Sequence, residues 1–308
     1  MTGLILQRKA AAYLRLILVG ADQITADMVI AMALLQMNLL SKSLMRTVPV
    51  NVILPVDKMA HPGLPQREEK PYKTLYLLHG IFGNYTDWVC GTRIQRYAEE
   101  NDLAVVMPSG DNAFYVDQPA ANNYYGKFIG QELVELTRKM FPLSRKREDT
   151  FIGGLSMGGY GAMRNGLKYS DTFGYIVSLS GAMLIEEMAS RTKDNGPFLN
   201  GKSYAQACFG DLTQLLNSDK NPKWLVKELK RTGKALPKIY MVCGDRDNLL
   251  EPNEAMAAFL KEQGADVTFE VGPGDHEWDF WDTYIQKAID WLPTEGSNLG
   301  INSGNIGV

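Results

Sequence analysis

Ser156 is the residue whose surroundings could do chemistry. It stands in Gly154-Leu155-Ser156-Met157-Gly158, a G-x-S-x-G. An apolar run, TFIGG, precedes it, and a stretch rich in small residues, GGYGAMRNGL, includes and follows its last glycine. A strand, a tight turn and a helix are the context this motif needs. Glycines beside the turn let neighbouring backbone approach, and the turn lifts the hydroxyl above a sheet. A serine held this way attacks a carbonyl carbon once a base takes its proton. The next N–H, that of Met157 at a helix N-terminus, would then face the developing negative charge.

Three histidines could supply the base. His61 lies in HPGLPQ, a Pro/Gly loop. His79 directly precedes Gly80. His276 lies in GPGDHEW, after the last apolar run. The chain order that accompanies an elbow of this type is nucleophile, acid, histidine, which selects His276. The acid should follow the run KIYMVC at 238–243, where Gly244-Asp245-Arg246-Asp247-Asn248 offers Asp245 and Asp247. Spacing alone separates neither from the other. Asp219 is a poorer choice because it falls in an irregular excursion. A second oxyanion donor is expected from His79-Gly80-Ile81-Phe82-Gly83, an HG-x-x-G turn, through the backbone N–H of Ile81. His79 itself is then expected to be structural. No metal cluster, phosphate loop or dinucleotide fingerprint accompanies these motifs, so neither a metal nor a cofactor is expected.

The elements that must position these residues are legible as an alternation. Apolar runs at 33–41, 47–54, 73–79, 103–107, 149–154, 175–180, 238–243 and 266–271 read as strands, the first two as a hairpin. Helices are expected at 92–101, 122–140, 157–169, 252–263 and 277–291, the last with Phe280, Trp281, Tyr284, Ile285 and Ile289 on a helical period. Short apolar strands alternating with amphipathic helices predict an α/β fold, with a mostly parallel eight-stranded sheet and helices on both faces. Residues 182–236 break the rhythm and are too long for one covering helix. They read as a small lid insertion within a domain spanning 32–294. Residues 1–31, basic and then apolar around RKAAAYLRLILVG, read as a leader, an added segment or an extra helix. The Gly-, Asn- and Ser-rich stretch 295–308 reads as a flexible tail.

Composition narrows the partners. The 308 residues carry a net charge of −3 with 45% hydrophobic residues. That balance gives no reason to expect nucleic acid and fits a neutral or apolar small molecule. The apolar run near the N-terminus is too short for a stable membrane span. Three cysteines, Cys90, Cys208 and Cys243, form no disulfide framework and fit a reducing, cytoplasmic compartment. A secreted protein would follow if residues 1–31 act as a leader. A homo-oligomer is left open.

Together YLLHGIFGNYTDW, GGLSMGGYGAM, CGDRDNLLEPN and GDHEWDFWD resemble the esterase D-type family of α/β-hydrolases, from about Met32 to Trp291. That group includes tributyrin esterases, feruloyl and acetylxylan esterases, S-formylglutathione hydrolases and, more distantly, mycolyltransferases. The resemblance implies a serine carboxylesterase acting on short-chain acyl or aryl esters through an acyl-enzyme. It places the acid three residues after the glycine that ends the strand, at Asp247, beside Ser156 and His276. It also supports Ile81 and Met157 as oxyanion donors. S-formylglutathione hydrolases usually carry a histidine before the elbow serine, where Leu155 stands here, so the tributyrin and feruloyl branch is favoured. Acyl transfer to a sugar or lipid acceptor and S-formylglutathione hydrolysis are the alternatives. A non-enzymatic binding protein is disfavoured because all three triad types are present. Phe82, Trp88, Phe198, Phe209 and Trp224 are expected to wall the substrate pocket.

Overall fold

In a computed structural model, which describes residues 33–56, 58, 68–194, 197–294 and 296, the eight apolar runs pair into one sheet. Its strands are β1 (Ala33–Ser41), β2 (Arg46–Leu54), β3 (Lys73–Leu78), β4 (Leu103–Pro108), β5 (Thr150–Leu155), β6 (Tyr175–Leu179), β7 (Lys238–Gly244) and β8 (Val267–Gly272). The spatial order is β1-β2-β4-β3-β5-β6-β7-β8. β2 runs antiparallel to both its neighbours, and every later pairing is parallel. Residues 1–31, His61 and, apart from Gly296, the stretch from 295 lie outside the described residues.

The central strands are buried along their whole length, as parallel strands covered on both faces must be. Alternation then divides the core. Leu75 and Leu77 point to one face, with Trp88, Tyr97, Phe280, Tyr284 and Ile285. Tyr76 and Leu78 point to the other, with Phe128, Tyr160, Met163 and Leu260. Helices α1 (Asp87–Gly91), α2 (Ile94–Glu100) and α9 (Trp278–Trp291) contribute to the first face. Helices α3 (Leu133–Met140), α4 (Met157–Lys168), α7 (Pro222–Arg231) and α8 (Leu250–Glu262) contribute to the second.

Two helices differ from expectation for local reasons. The helix expected at 92–101 is α2, and a short helix that was not expected, α1, precedes it. Between them the Thr92 hydroxyl donates to Trp88 O and accepts the Ile94 N–H, so it ends one helix and starts the next. The helix expected from 122 begins only at Tyr125. Asn123–Tyr124 instead pair with Asp117–Gln118, and the Asp117 carboxylate accepts the Lys127 N–H.

The excursion at 182–236 contains α5 (Ile185–Ser190), α6 (Lys202–Phe209) and α7. It is anchored rather than loosely draped. Leu212, Leu215, Leu225, Val226 and Leu229 are buried in the main core. The Arg164 guanidinium, on α4 and without exposed surface, donates to the carboxylate and carbonyl of Asp219 at 2.8 and 2.9 Å. Among the described residues no helix is long and apolar enough to cross a membrane.

Candidate active site

The nucleophile candidate sits where β5 stops. Ser156 has φ +53° and ψ −119°, and Met157 opens α4 immediately after it. A side chain on Gly158 would stand 2.4 Å from Leu78 O and 2.6 Å from His79 O. Only glycine lets α4 start this close to the end of β3. The elbow is stitched to the next strand: the Ser156 N–H donates to Leu179 O, and the Ala182 N–H to Ser156 O, both at 2.9 Å.

His276 reaches the serine from the loop after β8. Its Nε2 lies 3.0 Å from Ser156 Oγ and its Nδ1 lies 2.9 Å from Asp247 Oδ2. A carboxylate only accepts, so Nδ1 carries the ring proton and Nε2 offers its lone pair to the serine hydroxyl. Asp247, on the loop after β7, has a side chain with no exposed surface, whereas the imidazole is 30% exposed. Its other oxygen accepts the Leu249 N–H at 2.8 Å. Burial alone would raise the Asp247 carboxyl. Hydrogen bonds from His276, Leu249 N–H and Ser180 outweigh it and hold the carboxyl below its ordinary value.

Asp245 does different work two residues earlier. Its carboxylate accepts the Gly274 N–H at 3.0 Å, and the Asp245 and Arg246 N–H groups donate to Gly272 O and Gly274 O. It ties the acid's loop to the histidine's loop and does not touch His276 in this network. Asp219 is committed to Arg164 and Lys168.

His79 is buried and its pKa is lowered, chiefly by burial. The Gly110 N–H donates to its Nε2 at 2.8 Å, so the proton is on Nδ1, which donates to Gly80 O at 2.6 Å. With Tyr115 O–H donating to His79 O, these bonds fix the turn that carries Ile81. Ile81 borders the same cleft as Ser156. Met157 lies in the first turn of α4, where helix geometry leaves N–H groups without a partner in the helix.

That cleft has a volume of about 510 Å³ and runs between the Gly80–Gly83 turn and the start of α9. Of the expected wall residues Phe82 borders it; Trp88, Phe209 and Trp224 do not. Trp88 is buried, with its indole N–H spent on Leu78 O. Phe209 packs into an aromatic cluster with Phe114 and Tyr160. Trp224 lies against the main core on α7. The backbone of Phe198 forms a short 3-10 turn, and its side chain lies outside the described residues. The aromatic walls are instead Trp278 and Trp281, with Trp281 edge-on to the His276 ring at 4.9 Å. Their signal was in DHEWDFW, where indoles follow the histidine at once. Trp281 also belongs to the core, as its place in the helical stripe predicts, with Trp278 packed against the same cluster. Among the described residues no cluster of three or more His, Cys, Asp or Glu could hold a metal ion.

The chain is similar to known ester hydrolases. Residues 41–292 match the model of the Esterase family, described as "Putative esterase". An acetyl esterase of Caldicellulosiruptor saccharolyticus is 46% identical over 261 residues, covering 85% of this chain and 98% of that protein. The substrate-bound structure of FphF, a fluorophosphonate-binding serine hydrolase of Staphylococcus aureus, is 32% identical with a TM-score of 0.74. It covers 85% of this chain and 98% of that one. An S-formylglutathione hydrolase of the same organism is 31% identical over the same shares, with a TM-score of 0.71. The chain therefore belongs to the Esterase family and is a carboxylic ester hydrolase on the α/β-hydrolase fold.

Proposed function

We propose that the protein is a serine carboxylesterase that removes short acyl groups, acetyl foremost, through a covalent acyl-enzyme. The observation that carries this reading is the unbroken line of hydrogen bonds from Asp247 through His276 to Ser156 at the edge of an open cleft. As Ser156 Oγ attacks the ester carbonyl, its proton passes to His276 Nε2. The N–H groups of Ile81 and Met157 stabilise the oxyanion. Collapse of the tetrahedral intermediate breaks the bond to the alkoxide, which takes the proton from His276. Water then repeats the sequence in reverse and releases the acid. Asp247 orients the imidazole and offsets its charge at each protonation. Support for a small acyl group comes from the 46% identical relative named an acetyl esterase. An S-formylglutathione hydrolase reading draws on the 31% identical structure of that name; Leu155 before the nucleophile weighs against it.

The test is a series of p-nitrophenyl acetate, butyrate and octanoate with methyl ferulate, run on the wild type and on Ser156→Ala. Acetate should turn over fastest, and the variant should lose on the order of 10⁴-fold or more in kcat. Undiminished turnover by Ser156→Ala would sink the reading, whereas a preference for octanoate or ferulate would revise only the acyl group.

A further inference from the structure

The cleft in front of Ser156 carries charge of one sign. Of the described residues that line it, Asp87 and Glu277 are acidic and none is Lys or Arg. Glu277 is exposed and directly follows His276, and Asp87 opens α1 on the loop side that carries Ile81. Asp275 and Asp279, both exposed, flank Glu277 in sequence. Of the cations on the flanking segments, Arg246 lies 3.6 Å from Asp245 and Arg93 lies 2.6 Å from Asp282. The apolar part of the wall is made by Ile81, Phe82, Leu155, Trp278 and Trp281, with Trp278 half-buried and Trp281 mostly buried. Indole faces attract cations.

A short acyl group fills only a small part of about 510 Å³. That leaves the rest of the cleft, whose lining includes Glu277 and Asp87, to the alcohol. We infer that this enzyme selects its esters by the charge of the alcohol. Esters of ammonium-bearing alcohols are favoured over neutral ones, and anionic alcohols or thiols, including a glutathione-type thiol, are disfavoured. The inference rests on the assignment of Ser156 as nucleophile in this cleft. It concerns diffusion to the cleft and binding within it, so it acts on kcat/KM. For a swing from +1 to −1 beside two partly solvated carboxylates, the expected ratio at low salt is on the order of tenfold.

Three acetate esters of similar size separate the outcomes: acetylcholine, 3,3-dimethylbutyl acetate and 2-acetoxyethanesulfonate. Each kcat/KM is divided by the ester's alkaline hydrolysis rate to remove leaving-group reactivity. The expected order is cationic, neutral, anionic. The cation-to-anion ratio should fall several-fold between about 20 mM and 500 mM NaCl. In Glu277→Gln and in Glu277→Lys the ratio should fall further, the lysine variant most. A ratio near one, or a preference for the sulfonate, would overturn the inference while leaving esterase activity intact. A ratio that neither salt nor Glu277→Lys moves would overturn it too, since the preference would not be electrostatic. If all three esters are inert and p-nitrophenyl acetate is also untouched, the catalytic reading itself is what failed.

Discussion

Replacing Asp247 by Asn changes one oxygen into an NH2 group, and the structure says what that should do. Two N–H donors converge on this carboxylate: Leu249 N at 2.8 Å on Oδ1 and His276 Nδ1 at 2.9 Å on Oδ2. An amide offers a single acceptor oxygen. If it keeps Leu249, its NH2 faces His276 Nδ1, and the ring must move its proton to Nε2. Nε2 then donates to Ser156 Oγ instead of accepting from it, and the base is lost. Holding the productive tautomer against the amide costs a charged hydrogen bond, about 1.5–3 kcal/mol. The imidazolium also loses its counter-charge. At about 4 Å and an effective dielectric near 20 that is about 4 kcal/mol, reduced to roughly 2–3 because the ring is partly exposed. The sum, roughly 4–6 kcal/mol, corresponds to a loss of about 10³–10⁴-fold in kcat/KM. Asp245→Asn keeps an oxygen for the Gly274 N–H and sits on a half-exposed side chain. It should stay within about threefold of wild type. The assay is p-nitrophenyl acetate hydrolysis at pH 7–8 on both variants, with near-UV circular dichroism to confirm folding. A larger loss in Asp245→Asn, or more than a tenth of wild-type activity in Asp247→Asn, would refute the assignment. The same carboxyl has a folded pKa below its unfolded value, so its stabilising contribution is present above about pH 4 and is lost as pH falls through the depressed value. Urea midpoints should therefore fall more steeply between pH 5 and about pH 3 in wild type than in Asp247→Asn.

Two further perturbations probe the frame around the triad. Gly158→Ala puts a methyl carbon 2.4 Å from Leu78 O and 2.6 Å from His79 O, both backbone atoms. Relief requires β3 and α4 to separate by up to about 1 Å, which misplaces Ile81 against Met157 and should lower kcat about 10²-fold with KM less affected. Retention of a third of wild-type kcat would show that the close approach does not set the oxyanion donors. Asp219→Ala strips the buried Arg164 of its nearest carboxylate, leaving Asp117 at 3.9 Å beside Asn165 Oδ1 and the carbonyl of residue 219. We expect a loss of about 2–3 kcal/mol and a Tm lower by roughly 5–8 °C, with kcat/KM for p-nitrophenyl acetate close to wild type. A folded Asp219→Ala protein without activity would instead make Asp219 a candidate for the acid.

The sheet was readable because its strands punctuate themselves. LAVVM stops at Pro108 and KIYMVC at Gly244, and parallel strands buried on both faces are short continuous apolar runs; DVTFEV, a half-buried edge strand, is marked instead by alternation and its stop at Gly272. Ser156 and His276 were readable because one has a local motif and the other is selected by chain order. The candidate acid was not readable from the residues alone. GDRDN presents two carboxylates, and what separates them is burial, a tertiary property: Asp247 is enclosed beside Cys243 and Ser180, and Asp245 faces solvent. The pocket was less legible still. Trp88 and Trp278 both adjoin motif residues and stack edge to face at 5.8 Å. Trp88 turns inward, its indole N–H on Leu78 O, while Trp278 at the start of α9 borders the cleft, a difference set by tertiary placement. The aromatic residues of the excursion looked like pocket walls because they are apolar and far from any strand. Phe209, however, is drawn into the cluster with Phe114 and Tyr160, where its area is fully buried.

Three strand exits carry backbone that side chains rarely adopt: Phe82 beyond β3 at φ +65°, Ser156 after β5 at +53° and Ser180 after β6 at +47°. Each costs on the order of 1–3 kcal/mol and persists only where surrounding bonds over-determine it. Here every one is tied to a different segment. The Phe82 N–H donates to the Asn112 side chain at 2.8 Å, the Ser156 N–H to Leu179 O at 2.9 Å and the Ser180 N–H to Val242 O at 2.8 Å. The Ser180 hydroxyl also accepts the Trp281 N–H at 3.2 Å and supports Asp247. Relaxing any one of them to negative φ would break a bond to another segment and swing a side chain away from the cleft or from Asp247. Strain and site geometry are therefore one property of this sheet edge. The bonds that keep Ser156 strained also hold its hydroxyl 3.0 Å from the imidazole before any substrate arrives.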